Sequence, residues 1–329
     1  MMLSFYVFAD TGKGTRIDFK LGFQISMALS DTLAAHRQRI DAELAERLPP
    51  ADTRPALVHE AMRYAVLAGG KRLRPILCLA AANAVRSDAP IEPTLSAGLA
   101  TELLHTYTLV HDDLPCMDDD DLRRGKPTTH IAFGEANAVL AGDALLTLAF
   151  EWLGRTGEAR LVTELAKAAG SQGVIGGQIE DLASEKSDVA PASLAANPER
   201  ADSLAETLDY IHRHKTAALL VACVRMGGIC VDATPDQLAA LTMYGQNIGL
   251  AFQIIDDILD ATVDTDTLGK PAGSDEAQNK LTFVALHGID ASRERAAALI
   301  EDAVDAVHSH GLQGDFLAEL ASFVLERGT

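Results

Sequence analysis

The chain has 329 residues, is 48% hydrophobic and carries a formal net charge of −19. That length allows two domains or one large one, with a core big enough to fold without staples. The acidic balance argues against a nucleic-acid partner and means that an anionic ligand needs a local group of cations or a metal.

The first element, "MMLSFYVFAD", is apolar but short, lacks a basic leader and meets Asp10 before any small-residue cleavage site. Residues 1–26 therefore read as a loosely ordered extension, and the domain as residues 27–329, starting at "MALSDTLAAHRQRI". In "ALVHEAMRYAVLAGG" the residues Val58, Ala61, Met62, Ala65 and Val66 follow the helical period, and Gly69 and Gly70 supply a stop. Pro75 suits the first turn of the next helix. Further helical segments are "LSAGLATELLHTYTLVHDD", "NAVLAGDALLTLAFEWL", "YIHRHKTAALLVACVRMG" and "QLAALTMYGQNIGLAFQIIDDILD". Several are apolar nearly all round, which predicts a large all-α bundle with buried helices. Residues 183–206, polar and with two prolines, read as a connecting loop. "GSQGVIGGQIEDL" has no strand before it, so Gly173, Gly176 and Gly177 read as sites of close helix contact and not as a nucleotide loop. No apolar run approaches the ~20 residues of a membrane span. Cys78, Cys116, Cys223 and Cys230 form no CxxC pair and read as the reduced thiols of a cytoplasmic protein.

Two acidic clusters stand out. Six of the ten residues from Asp112 to Asp121 are aspartate, followed at once by Arg123, Arg124 and Lys126. Adjacent carboxylates repel by about 4 kcal/mol at a protein-like dielectric, so the cluster needs something positive among its members. In the second cluster, "FQIIDDILDATVD", Asp256 and Asp260 share one helix face, with Asp257 about 100° around. A solvated face fits poorly, because the uncharged "LAFQII" runs straight into it. Carboxylates without nearby His or Cys suit a hard cation, and Mg²⁺ typically takes one or two carboxylates plus phosphate oxygens. The EF-hand spacing is absent. Cations match the anions: Lys71, Arg72 and Arg74 follow two glycines, Arg123 and Arg124 can fork onto phosphate, and His105 lies two turns before Asp112. Lys215 and Lys270 are unremarkable taken singly.

In combination, "GGKRLRP", "LLHTYTLVHDDLPCMDDDDLRRGKPTTH", "GGQIEDL", "HRHKT" and "GLAFQIIDDILD…LGK" closely resemble the trans-isoprenyl diphosphate synthases, in particular the bacterial farnesyl type, over nearly all of residues 27–329. The resemblance implies a single all-α domain of isoprenoid synthase-like fold with a central cavity. It also implies a homodimer and a Mg²⁺-dependent condensation of isopentenyl diphosphate with dimethylallyl or geranyl diphosphate, for which three ions are expected and Mn²⁺ is a substitute. By resemblance, Asp112, Asp113, Asp118 and Asp256, with Asp257 and Asp260, hold the metal. Arg123, Lys215 and Lys270 grip the allylic diphosphate, Thr216 and Gln253 lie by the developing cation, and Lys71, Arg74, His105 and Arg124 bind isopentenyl diphosphate. Tyr107, five residues before Asp112, with Thr108 beside it, resembles the chain-length floor of enzymes making a C15 product. Cys116 departs toward the geranylgeranyl type, which keeps a C20 product as the alternative. A terpene cyclase would need a different second metal motif, and a non-catalytic partner subunit would lack one acidic cluster.

Overall fold

The computed structural model describes residues 27–184, 197–262 and 280–326. In chain order the helices are α1 (Met27–Arg47), α2 (Ala56–Val66), α3 (Leu73–Val85), α4 (Thr94–Asp112), α5 (Thr129–Phe133), α6 (Glu135–Arg155), α7 (Ala159–Ala169) and α8 (Val174–Ser184). They continue as α9 (Pro198–Ile211), a π turn (His212–Ala217), α10 (Ala218–Cys230), α11 (Pro235–Thr262), α12 (Phe283–His287), α13 (Ile289–Val307) and α14 (Asp315–Glu326). The fold is the all-α isoprenoid synthase fold.

Local chemistry sets the boundaries. Gly69 and Gly70, at φ 100° and 145°, turn the chain between α2 and α3 where a side chain would be strained. Asn197 accepts from Arg200 N at 3.2 Å and Pro198 opens α9, so residues 198–206 are helix, where the composition had predicted a loop. Residues 185–196 lie outside the described part. The sole strands among the described residues are β1 (Leu122–Arg123) and β2 (Lys126–Pro127), an antiparallel pair with Arg123 opposite Lys126. Arg124 and Gly125 turn between them with φ 55° and 74°, as a two-residue hairpin requires.

Two helices organise the core. α4 packs on α6, α3 and α10, and its Leu95, Leu99, Leu103 and Leu104 are sealed from solvent, each contributing roughly 2 kcal/mol of burial. α11 packs on α13, α10 and the π turn, and Tyr244 Oη donates to Leu317 O at 2.7 Å, fastening α14 to it. By length and mean hydropathy alone α6 and α11 could cross a bilayer, although neither contains an unbroken apolar run of that length. In α11 that apolar surface forms the core around Ile248, Ala251, Ile254 and Ile255.

Gly177 is a site of close helix contact as expected: a Cβ there would meet Lys215 N at 2.2 Å. Gly249 plays the same part from α11, 2.4 Å from Ala217 Cβ. At Gly173 a Cβ would meet the Ala168 carbonyl in the last turn of α7 at 2.1 Å, and at Gly176 it would meet Ser171 O at 2.2 Å and Tyr210 Oη of α9 at 3.3 Å.

Candidate functional site

The C-terminal end of α4, the hairpin, the π turn and the C-terminal part of α11 carry charged groups that the sequence had singled out. Asp112 ends α4 half-buried. Burial pushes its carboxyl up to about 6, with Asp118 and Asp113 adding to the rise and Lys215 and Arg123 opposing it. Asp118 N donates to Asp112 O at 2.8 Å, which folds the acidic loop back onto the helix end. Asp113 is enclosed, and Arg123 donates to it through Nε at 2.7 Å and Nη2 at 2.6 Å. Neighbours on a strand point to opposite faces, so Arg123 turns to the acidic loop while Arg124, at the hairpin turn, goes elsewhere.

Arg124 lies against Gly70. A Cβ on that glycine would sit 2.6 Å from Arg124 Nη1, so Gly70 makes room for the guanidinium. Close by are Arg74 and His105. His105 is held well below the usual imidazole value, by burial first and then by Arg74, Arg124, Arg123 and Arg72, so its ring is neutral. Arg74 Nε is buried with no hydrogen-bond partner, and burial lowers the group's pKa despite Glu102 and Asp256. A buried donor without an acceptor, inside a crowd of arginines, is a site for an anion. Arg72 is removed from that role. It is 2% exposed and donates to Asp41 at 2.7 Å, Glu102 at 2.7 Å and Val66 O at 2.6 Å. Lys71 next to it is exposed.

The π turn brings Lys215 and Thr216 to the acidic side. Lys215 is paired with Asp181 of α8; burial pulls its pKa down, but Asp181, then Asp112 and Asp118, hold it above the usual lysine value. Thr216 Oγ1 donates to Gln253 Oε1 at 2.9 Å. Asp181, and Gln178 with its buried, unpartnered Nε2, are groups the sequence reading missed. The signal was present in "GGQIEDL", where only the glycines were given a reason.

The second acidic cluster divides. Asp256 is half-buried, whereas Asp257 and Asp260 are each 4% exposed. Asp257 accepts from Gln253 Nε2 at 3.0 Å and from Phe283 N at 2.8 Å, with His212 Nε2 3.7 Å away. Each of its oxygens thus accepts one hydrogen bond from the protein. Lys270 lies outside the described residues. Tyr107 is half-buried, its ring edge-on to His111 at 5.1 Å, and Thr108 Oγ1 bonds back to His105 O.

The donors present suit a hard divalent cation, being carboxylates of which Asp112 is half-buried beside the like charges of Asp118 and Asp113. Among the described residues no three His, Cys, Asp or Glu groups are close enough to cage an ion by themselves.

One helical bundle thus carries a group of carboxylates and a group of arginines. Residues 55–311 match the polyprenyl synthetase family model. The chain is 48% identical over 266 residues to geranylgeranyl pyrophosphate synthase 12 of Arabidopsis thaliana, covering 78% of this chain and 70% of that one. It is 42% identical over 306 residues to a dimethylallyltranstransferase of Fischerella ambigua, covering 91% and 84%. Its structure superposes on that of an FPP/GFPP synthase from Zymomonas mobilis with a TM-score of 0.73 and 36% identity, over 91% of this chain and 99% of the other. The chain belongs to the polyprenyl synthetase family of trans-isoprenyl diphosphate synthases and is a prenyltransferase.

Proposed function

We propose that this chain condenses isopentenyl diphosphate with dimethylallyl and geranyl diphosphates to make mainly the C15 product, farnesyl diphosphate. The observation that carries the two-substrate reading is the buried, unpartnered Arg74 Nε, beside Arg124 and His105, in addition to the Lys215 and Arg123 that act on Asp112. Tyr107 supports the C15 product, since a bulky half-buried side chain about 7.5 Å back from Asp112 along α4 suits a floor for the growing tail. The second reading, a C20 product, is favoured by Cys116 and by relatives named geranylgeranyl pyrophosphate synthase.

Asp112, Asp118 and Asp256 would hold Mg²⁺, which supplies positive charge to the diphosphate as it leaves. Lys215 adds a fixed ammonium to the same leaving group, and Arg123 a guanidinium already positioned by Asp113. The allylic C–O bond breaks heterolytically, the double bond of isopentenyl diphosphate forms the new C–C bond, and a proton leaves to the departing diphosphate. No protein base is then required. Thr216 and Gln253 offer uncharged oxygen dipoles to the developing cation. Arg74, Arg124, Lys71 and the neutral His105 retain the diphosphate of the second substrate, which does not leave. Lys270 is assigned to the allylic diphosphate with Lys215.

Exposed Ile131, Val139 and Leu140 on α5 and α6 support a homodimer, and the free thiols of all four cysteines agree with a cytoplasmic enzyme. Incubating the protein with Mg²⁺ and both substrates, then separating the dephosphorylated products, tests the reading. Farnesol is expected, geranylgeraniol supports the second reading, and no elongated product overturns both.

A further inference from the structure

Asp257 is tied into the protein through both of its carboxylate oxygens. From it a hydrogen-bonded chain runs across the π turn. Phe283 N donates to Asp257 Oδ2 at 2.8 Å. Gln253 Nε2 donates to Asp257 Oδ1 at 3.0 Å, and Thr216 Oγ1 donates to Gln253 Oε1 at 2.9 Å. His212 Nε2 stands 3.7 Å from Asp257 Oδ2, and Asp257 itself is almost wholly enclosed.

Each bond in this chain has a direction, and Asp257 sets them all. A carboxylate accepts and does not donate, so the amide end of Gln253 that faces it must be the NH₂. The carbonyl end of Gln253 is then the one turned to Thr216. A hydroxyl beside a carbonyl must give its proton to it, which leaves only oxygen lone pairs for anything else nearby. We infer that Asp257 is a positioning residue: through Gln253 it fixes the Thr216 hydroxyl with its lone pairs outward, so that the negative end of the dipole meets the carbocation formed in prenyl transfer. This deepens the prenyl-transfer reading of the site and rests on it.

Asp257→Asn reverses the polarity with almost no change of shape. The backbone N–H of Phe283 cannot turn round, so the Asn carbonyl must accept from it. The Asn NH₂ then faces Gln253, whose amide must flip to accept. Its own NH₂ next meets Thr216, and the hydroxyl proton swings outward toward the cation.

The experiment is steady-state kinetics of the full chain on geranyl and isopentenyl diphosphates across a Mg²⁺ titration, for wild type, Asp257→Asn, Thr216→Val and the double variant. The expected result is that Asp257→Asn lowers kcat by about tenfold, the effect of reversing one fixed dipole, while the allylic KM and half-saturating Mg²⁺ stay within about twofold. With Thr216→Val already present, Asp257→Asn should change kcat by less than about twofold, because no hydroxyl remains to be turned. A raised Mg²⁺ requirement would make Asp257 a metal ligand and overturn the inference, as would an unchanged kcat or an equal loss in the Thr216→Val background. If Asp257→Asn does not fold, Thr216→Val alone decides: kcat must fall at unchanged Mg²⁺ dependence, and wild-type kcat refutes the proposal. A wild type that forms no elongated product fails the prenyl-transfer reading itself, a result distinct from all of these.

Discussion

Replacing Asp112 with Asn should make the ligand-free protein more stable while destroying its activity. The carboxyl is half-buried beside Asp118 and Asp113, and its pKa rises from 3.8 to about 6 on folding. At about 1.4 kcal/mol per pH unit this rise corresponds to roughly 3 kcal/mol against the ionised group in the folded state, an upper figure because water reaches part of the side chain. Between those two pH values the folded protein holds a proton that the unfolded chain releases, so stability falls as pH rises through the window. Above pH 6 the wild type carries the full cost and the Asn variant none. The variant should therefore melt a few degrees higher at pH 7.5, with the advantage shrinking below pH 6 and largely gone near pH 4. Thermal unfolding followed by circular dichroism at several pH values measures it. Adding Mg²⁺ and inorganic diphosphate should reverse the order, stabilising the wild type more than the variant. A variant that melts lower at pH 7.5 without ligands would refute the claim that this carboxylate is held in place against its own electrostatics.

Arg74→Ala and Lys71→Ala should chiefly raise the KM for isopentenyl diphosphate, each by the equivalent of about 1.5–3 kcal/mol for a lost charged hydrogen bond. A rise confined to the allylic KM would mean that the two substrate sites are exchanged. Gly70→Ala puts a Cβ where Arg124 Nη1 now lies, 2.6 Å away, at a φ of 145°. Its isopentenyl diphosphate KM should rise severalfold, with about 1 kcal/mol or more of lost stability from the strained backbone, and wild-type values for both would exclude the contact. Tyr107→Ser should shift the product mixture toward C20 or longer on chromatography, and an unchanged pattern would place the floor on another residue.

The sequence made some of this site legible and hid the rest for definable reasons. The helices could be read because Val58, Met62 and Val66 repeat at the helical period, and a period is a local property. The pairing of the two acidic clusters was visible as composition, since aspartates cannot sit at the end of an apolar run without a reason. The hydrogen bonds of Asp257 could not be read, because the 100° separating it from Asp256 says that the two face differently, but not which of them meets Phe283. That contact joins positions 26 residues apart. Arg72 and Arg74 differ for the same reason: Glu102 and Asp41, which saturate Arg72 and leave Arg74 Nε bare, come from α4 and α1. Asp181 was overlooked because in "GGQIEDL" only the glycines were given a reason, and only the fold brings this carboxylate to Lys215.

The π turn at His212–Ala217 also has a bearing on how such a helix can be altered. A widened turn is equivalent to one residue added to an otherwise continuous helix, and each added residue advances everything beyond it by about 100°. α9 and α10 can thus keep separate buried faces, Leu208 and Ile211 on one and Leu219, Leu220 and Cys223 on the other, while the residues between them serve the chemistry. The segment works as a phase adjuster. Its length is fixed by the angle it must make up, so substitutions within it are tolerable one side chain at a time, whereas losing a single residue would rotate the whole of α10 out of register with the core.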